Sequence, residues 1–249
     1  MTHSWEELTG WVDDLASTDP VVRDETALTG LTDAILGDDP VDDDTASALL
    51  DHALRPDGPL SGLGEPEGGD GIFGRSFTLE VLAVVSSREN ASPFLDPGRR
   101  VQIRRAWLEV VERERDFRAR VEGQGWAHVV AHAADLADEI AAWPADSGAA
   151  NDPAAEVLEG LALLVGRSPR VYDEDEEDRI AHALASAVRR RPGFLDDIVA
   201  VVRRDTHELD QDVVRRNWKA IVRSLHFRLG ADDDRPERLR DLEAELTGL

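Results

Sequence analysis

Apolar residues in this chain recur at the three- and four-residue spacing of a helix almost from end to end. Val21, Leu28, Leu31 and Ile35 form one stripe, Ile103, Trp107, Val110, Phe117 and Val121 a second, and Val214, Trp218, Ile221 and Leu225 a third. No stretch alternates as a strand does, so the pattern predicts an all-α chain of about eleven helices. Start signals agree. Ser4 with Glu7 has the form of a capping box, and Asp19-Pro20 and Asp152-Pro153 each place a capping carboxylate before a proline at the first helical position. Helices of roughly 10 to 20 residues joined by short polar turns suit antiparallel pairs stacked into a right-handed solenoid of the HEAT/armadillo kind, a single repeat domain over residues 1–249.

Two segments break the rhythm. Residues 55–72 hold several Gly and Pro and read as an excursion between helices. The helix expected next, Phe73 to Ser87, is apolar nearly all round and should be central. Its run Leu79 to Val85 is interrupted by Glu80 and is far short of the ~20 residues that cross a bilayer, so no membrane span is expected. The start of the chain shows no basic segment followed by an apolar one, which leaves a cytoplasmic location as the expectation.

Charge narrows the function classes. With 249 residues, 52 acids against 28 bases and a net charge of −24, the chain repels phosphate backbones, so nucleic acid is not an expected partner. Of the bases, 27 are Arg and only Lys219 is Lys. A dense carboxylate surface of this kind is suited to molar salt, where the Debye length is about 3 Å, and points to a halophilic host. The first 96 residues carry a net −17, either a docking face for a basic partner or a solvated acidic face. The absence of Cys excludes disulfides, thiolate zinc sites and cysteine nucleophiles, so any metal would be held by His, Asp or Glu.

The strongest local signal is Gly125-Trp-Ala-His-Val-Val-Ala-His-Ala-Ala-Asp135. On one helix His128, His132 and Asp135 fall at i, i+4 and i+7 and share a face. Two imidazoles and a carboxylate so placed can hold a divalent metal with open positions for water, or Asp135 can orient one His as a general base. Ala127, Ala131, Ala133 and Ala134 fit a closely packed structural helix equally well. Val129 stands where a zincin would carry its general-base Glu. Arg75-Ser76, expected at the start of the central helix, can bind an anion through guanidinium, hydroxyl and free backbone N–H groups. A Ser76, His128, Asp135 triad lacks a nucleophile elbow. Arg99, Arg100, Arg104 and Arg105 form a basic cluster whose expected partners are Glu109, Glu112 and Glu114 on the same helix.

These residues resemble the Domain of Unknown Function 2785 family over roughly Trp5 to Asp205. The marks are Ser17-Thr-Asp-Pro20 with Arg23-Asp24, Arg75-Ser76-Phe77, Gly125-Trp126-Ala127-His128 with Ala131-His132 and Asp135, and Tyr172 followed by Glu177, Asp178 and Arg179. Arg118-Ala119-Arg120 and Gln124 depart from the family's usual Arg-Gly-aromatic and Lys. The resemblance implies an all-helical fold and supplies no reaction. It adds Asp116, Tyr172 and Asp178 to a set of polar motif positions, Arg75, His128, His132 and Asp135 among them, that would line one groove, with Ser76 and Trp126 beside them. The expectation is a non-enzymatic module binding a protein segment or small anionic ligand. The alternative is a metal-assisted hydrolase on His128, His132 and Asp135.

Overall fold

The computed structural model describes residues 3–144, 152–208, 212–230 and 235–248. Among these the chain is helical apart from turns and one short hairpin, and no described helix is long and apolar enough to cross a membrane. It divides into two compact units, residues 1–136 and 137–249.

The first unit holds α1 (Trp5–Asp14), a π-helical segment (Val21–Leu28) that continues as α2 (Thr29–Leu36), α3 (Asp43–Ala53), α4 (Gly71–Ala91), α5 (Pro97–Arg113) and the beginning of α6 (Val129–Ala141). Local chemistry sets the ends. Ser4 accepts the N–H of Glu7 at 3.1 Å, Asp19 that of Val21 at 2.9 Å, and Asp96 that of Gly98 at 2.7 Å with Pro97 at the first position. The π-helical segment turns Arg23 and Ala27 inward, and both are buried.

Leu8, Val12 and Leu15 of the first helix region, Ala27, Leu31 and Ala34 of the second, and Leu49 and Ala53 of α3 close on Phe77 and Val81 of α4 to make the core. Burying each large aliphatic side chain contributes roughly 1.5–3 kcal/mol. As the all-round apolar pattern implies, α4 is central, but it begins at Gly71, earlier than expected. Gly74 brings α4 against the preceding irregular segment: a Cβ there would stand 2.8 Å from the carbonyl oxygen of Pro59.

One feature departs from the all-helical expectation. Arg120–Val121 pairs antiparallel with Gly125–Trp126. Gly123 and Gly125, at φ of +75° and +82°, supply the left-handed backbone the turn needs, a signal carried by glycine positions and not by alternation.

The second unit holds the end of α6, α7 (Pro153–Arg167), α8 (Glu176–Arg190), α9 (Phe194–Glu208), α10 (Asp212–Leu229) and α11 (Arg235–Gly248). Asp152 caps α7 through the N–H of Ala154 at 3.1 Å, as the Asp-Pro pair predicts. Helix α10 packs against α8 and α11 and buries Trp218, Ile221 and Leu225. The acidic run Asp173–Asp178 opens α8, and Arg189 and Arg190 close it, the polarity the helix dipole favours.

Candidate functional site

Arg23 lies wholly inside the first unit, and three groups receive its guanidinium. Nε donates to Asp24 at 2.7 Å, Nη1 to the carbonyl of Ser17 at 2.9 Å, and Nη2 to the carbonyl of Gln124 at 2.9 Å. The rings of Phe73 and Phe77 lie under it, 4.3 and 4.7 Å from their centroids, so the charge is desolvated against two π faces. Burial raises the Asp24 carboxyl above its ordinary value, the hydrogen bond from Arg23 opposing it. Gly125 completes the fit: a Cβ there would meet Arg23 Nη2 at 3.1 Å and Pro20 at 3.2 Å. In the sequence Arg23 stands out only beside Asp24 among the marks of the family resemblance. A guanidinium four residues before Ala27 and eight before Leu31, at a core position of an apolar stripe, was the available signal.

Phe77 leads from Arg23 to His132, whose ring it meets edge to face at 4.9 Å. His132 Nδ1 stands 2.9 Å from the Ser76 hydroxyl and 3.2 Å from the Ser76 carbonyl oxygen. The His128 ring is 6.2 Å from that of His132 and perpendicular to it. His128 is not a helical residue: α6 begins at Val129, and His128 precedes it at φ +43°, its carbonyl accepting the His132 N–H at 3.0 Å. The shared helical face inferred from i, i+4, i+7 spacing therefore holds for His132 and Asp135 and not for His128. A non-glycine residue in the left-handed region costs on the order of 1 kcal/mol, and here it turns the imidazole back onto Trp126, stacked at 4.4 Å.

Trp126 is 37% exposed, and the Arg120 guanidinium lies 5.1 Å from its ring on the same two-stranded hairpin. Arg120, Trp126 and His128 thus form a layered platform reaching solvent, anchored through His132 and Phe77 to buried Arg23. Asp135 is half-buried on α6. Among the described residues no group of three or more His, Asp or Glu side chains is placed to hold a metal ion.

Arg75 is interior. Because α4 begins at Gly71, Arg75 and Ser76 stand in its second turn and not at a helix end with free N–H groups. Arg75 makes a two-pronged ion pair with Glu114, at 2.5 and 3.1 Å, and both side chains are buried. Glu114 also accepts the N–H groups of Arg115 and Asp116 at 2.8 and 2.9 Å. Asp116, buried too, accepts Arg118 Nε at 2.9 Å and the Gly68 N–H at 3.3 Å. Burial works to raise the Asp116 carboxyl, but the side-chain and backbone donors of Arg118 and the N–H of Gly68 outweigh it and hold it below its ordinary value.

Two arginines of the basic cluster on α5 pair with carboxylates off that helix. Arg99 is bound by Asp51 and Arg100 by Glu89, while Glu114 belongs to Arg75. In the second unit Tyr172 is buried and donates its N–H to Asn217 at 2.9 Å, and burial pushes its phenol far above the ordinary value. Asp178 there accepts from Arg228 and Ser224. Of the polar motif positions, Ser76, Trp126, His128 and His132 come together. Arg75 and Asp116 meet through Glu114, and Tyr172 and Asp178 keep separate partners within their own unit.

No curated protein and no solved structure matches this sequence. The pattern of one known family matches residues 60–227, a span that contains all nine of these motif positions, Arg75 to Asp178, and begins after Arg23. On that match, the chain belongs to the family described as Protein of unknown function (DUF2785).

Proposed function

We propose that this protein is a non-enzymatic binding module, a helical-repeat domain with HEAT/armadillo-like character, that takes an acidic protein segment or a small anionic ligand on the platform of Arg120, Trp126 and His128. One observation carries the reading: Trp126 is held partly exposed between a guanidinium and an imidazole, on backbone that spends conformational strain at His128 to keep it there. Exposed aromatic and Arg side chains on pre-ordered backbone are the anchors that binding surfaces use.

Metal-assisted hydrolysis at His128, His132 and Asp135 is the competing reading. What weighs for binding is that His128 precedes α6 and is turned onto Trp126, so that among the described residues it does not join His132 and Asp135 in a group placed to hold a metal ion.

The test is fluorescence anisotropy with labelled acidic, neutral and basic peptides, and competition by small dicarboxylates. Retention of the acidic peptides, weakened at least tenfold by Trp126→Ala or Arg120→Ala, supports the reading. Equal retention of all three peptide classes, or no change in either variant, overturns it.

A further inference from the structure

Away from that platform, the irregular segment before α4 and the outer face of α5 enclose an open cleft of 510 Å³, within the ~300–1,000 Å³ range of small-molecule sites. Its charged lining is Arg55, Arg105 and Arg113 against the single acid Glu109. That excess of positive charge stands in a chain of net −24 whose first 96 residues carry −17.

The three guanidiniums are not equivalent. Arg55 is engaged by Asp13 at 2.6 Å and by the His52 carbonyl at 2.6 Å. Arg113 donates to the Leu63 carbonyl at 3.2 Å and lies 3.8 Å from Glu109. Arg105 is exposed, and no described residue forms an ion pair or hydrogen bond with it, although Arg99 and Arg100 of the same cluster have each found a carboxylate. Beside it, Leu54, Leu63 and Val101 are half-buried and give the cleft apolar walls. The wall opposite α5 is fixed in place, by Arg113 on the Leu63 carbonyl and by the close approach of Gly74 to Pro59, so the cleft is formed before anything enters it.

We propose that this cleft binds an amphipathic organic anion, its acidic group taken by the Arg105 guanidinium and its apolar body lying on Leu54, Leu63 and Val101. Arg105 presents a planar fork of donors suited to carboxylate or phosphate, while Arg55 and Arg113 are already matched by Asp13 and Glu109 and leave the incoming anion to Arg105. Elsewhere the acidic surface repels such a ligand, so the site selects by charge as well as by shape.

The experiment is calorimetric titration of the full chain with decanoate and decyl phosphate below their micellar concentrations, decanol below its solubility limit, and inorganic phosphate. Decanoate or decyl phosphate should bind at least tenfold more tightly than decanol, and Arg105→Ala should remove most of that preference while leaving the thermal melt unchanged, since Arg105 is exposed. Preference for decanoate over decyl phosphate identifies a carboxylate ligand, and the reverse a phosphate ester. Binding of decanol as tight as decanoate, inorganic phosphate as tight as decyl phosphate, or no effect of Arg105→Ala overturns the proposal. Trp126→Ala should leave these titrations unchanged, so failure here and failure of the platform are separately visible.

Discussion

Arg23 donates through Nη2 to the carbonyl oxygen of Gln124 at 2.9 Å, joining positions 101 residues apart and tying the first helices to the hairpin that presents Trp126. An exposed aromatic is useful for recognition only if its position is fixed, and here the fixing group is a buried cation. Arg23→Met should therefore cost about 2–4 kcal/mol, because it leaves the Ser17 and Gln124 carbonyls without their donor in a dry interior. Arg23→Lys should recover only part of it, since an ammonium cannot supply the same fork to three acceptors. Urea unfolding of the three proteins measures both, and equal stability of all three would contradict the assigned role.

The Arg75–Glu114 pair makes a sharper comparison. Glu114→Leu should destabilise by about 3–5 kcal/mol, because Arg75 would keep its charge with no counter-ion around it. Arg75→Met with Glu114→Leu should restore much of that loss, offset by the Arg115 and Asp116 N–H groups that Glu114 also serves. A double-mutant cycle in denaturant gives the coupling energy, and additive losses would mean that the two charges do not depend on one another.

Asp116 sets a pH dependence. Its folded-state carboxyl titrates below its ordinary value of 3.8, so its contribution is fully present above that value and is lost as pH falls through the lower, folded one. Asp116→Asn should lower the melting temperature at pH 7, and the gap to the parent protein should narrow as the pH falls below 3.8. A gap that stays constant through that fall would contradict the assignment.

Salt should matter more than for an ordinary domain. At a net charge of −24, moving from molar salt to about 0.1 M lengthens the Debye length from about 3 to about 10 Å and exposes the acidic surface to its own repulsion. The melting temperature should fall on that transfer; an unchanged melt would argue against the halophilic reading of the composition.

Metal analysis separates the binding module from the hydrolase. The purified chain is expected to carry no stoichiometric zinc, manganese or iron and to melt at the same temperature with and without chelator. A stoichiometric metal lost in His132→Ala would instead favour chemistry at His128, His132 and Asp135.

The platform was half legible in the sequence. Trp126, His128 and His132 stood out as a motif, but the spacing argument assumed that helix continued through His128, and the left-handed turn there follows from how the hairpin docks on Pro20 and Arg23. Glu114 was assigned to the arginines of its own helix because i, i+4 proximity is all a sequence offers. In the folded chain it sits at the C-terminal end of α5 beside buried Arg75, where the low dielectric makes that one pairing far stronger than any surface alternative.

By itself the sequence determined the helices and most of their ends: apolar period, capping carboxylates and prolines act over three or four residues, a range at which the chain alone fixes geometry. Only the tertiary structure decided which arginine meets which carboxylate or carbonyl. With 52 acids within reach of 28 bases, no local rule selects Glu114 for Arg75, Gln124 for Arg23 or open water for Arg105. Packing selects them, because burial makes an unmatched charge costly and leaves each interior cation few ways of being satisfied.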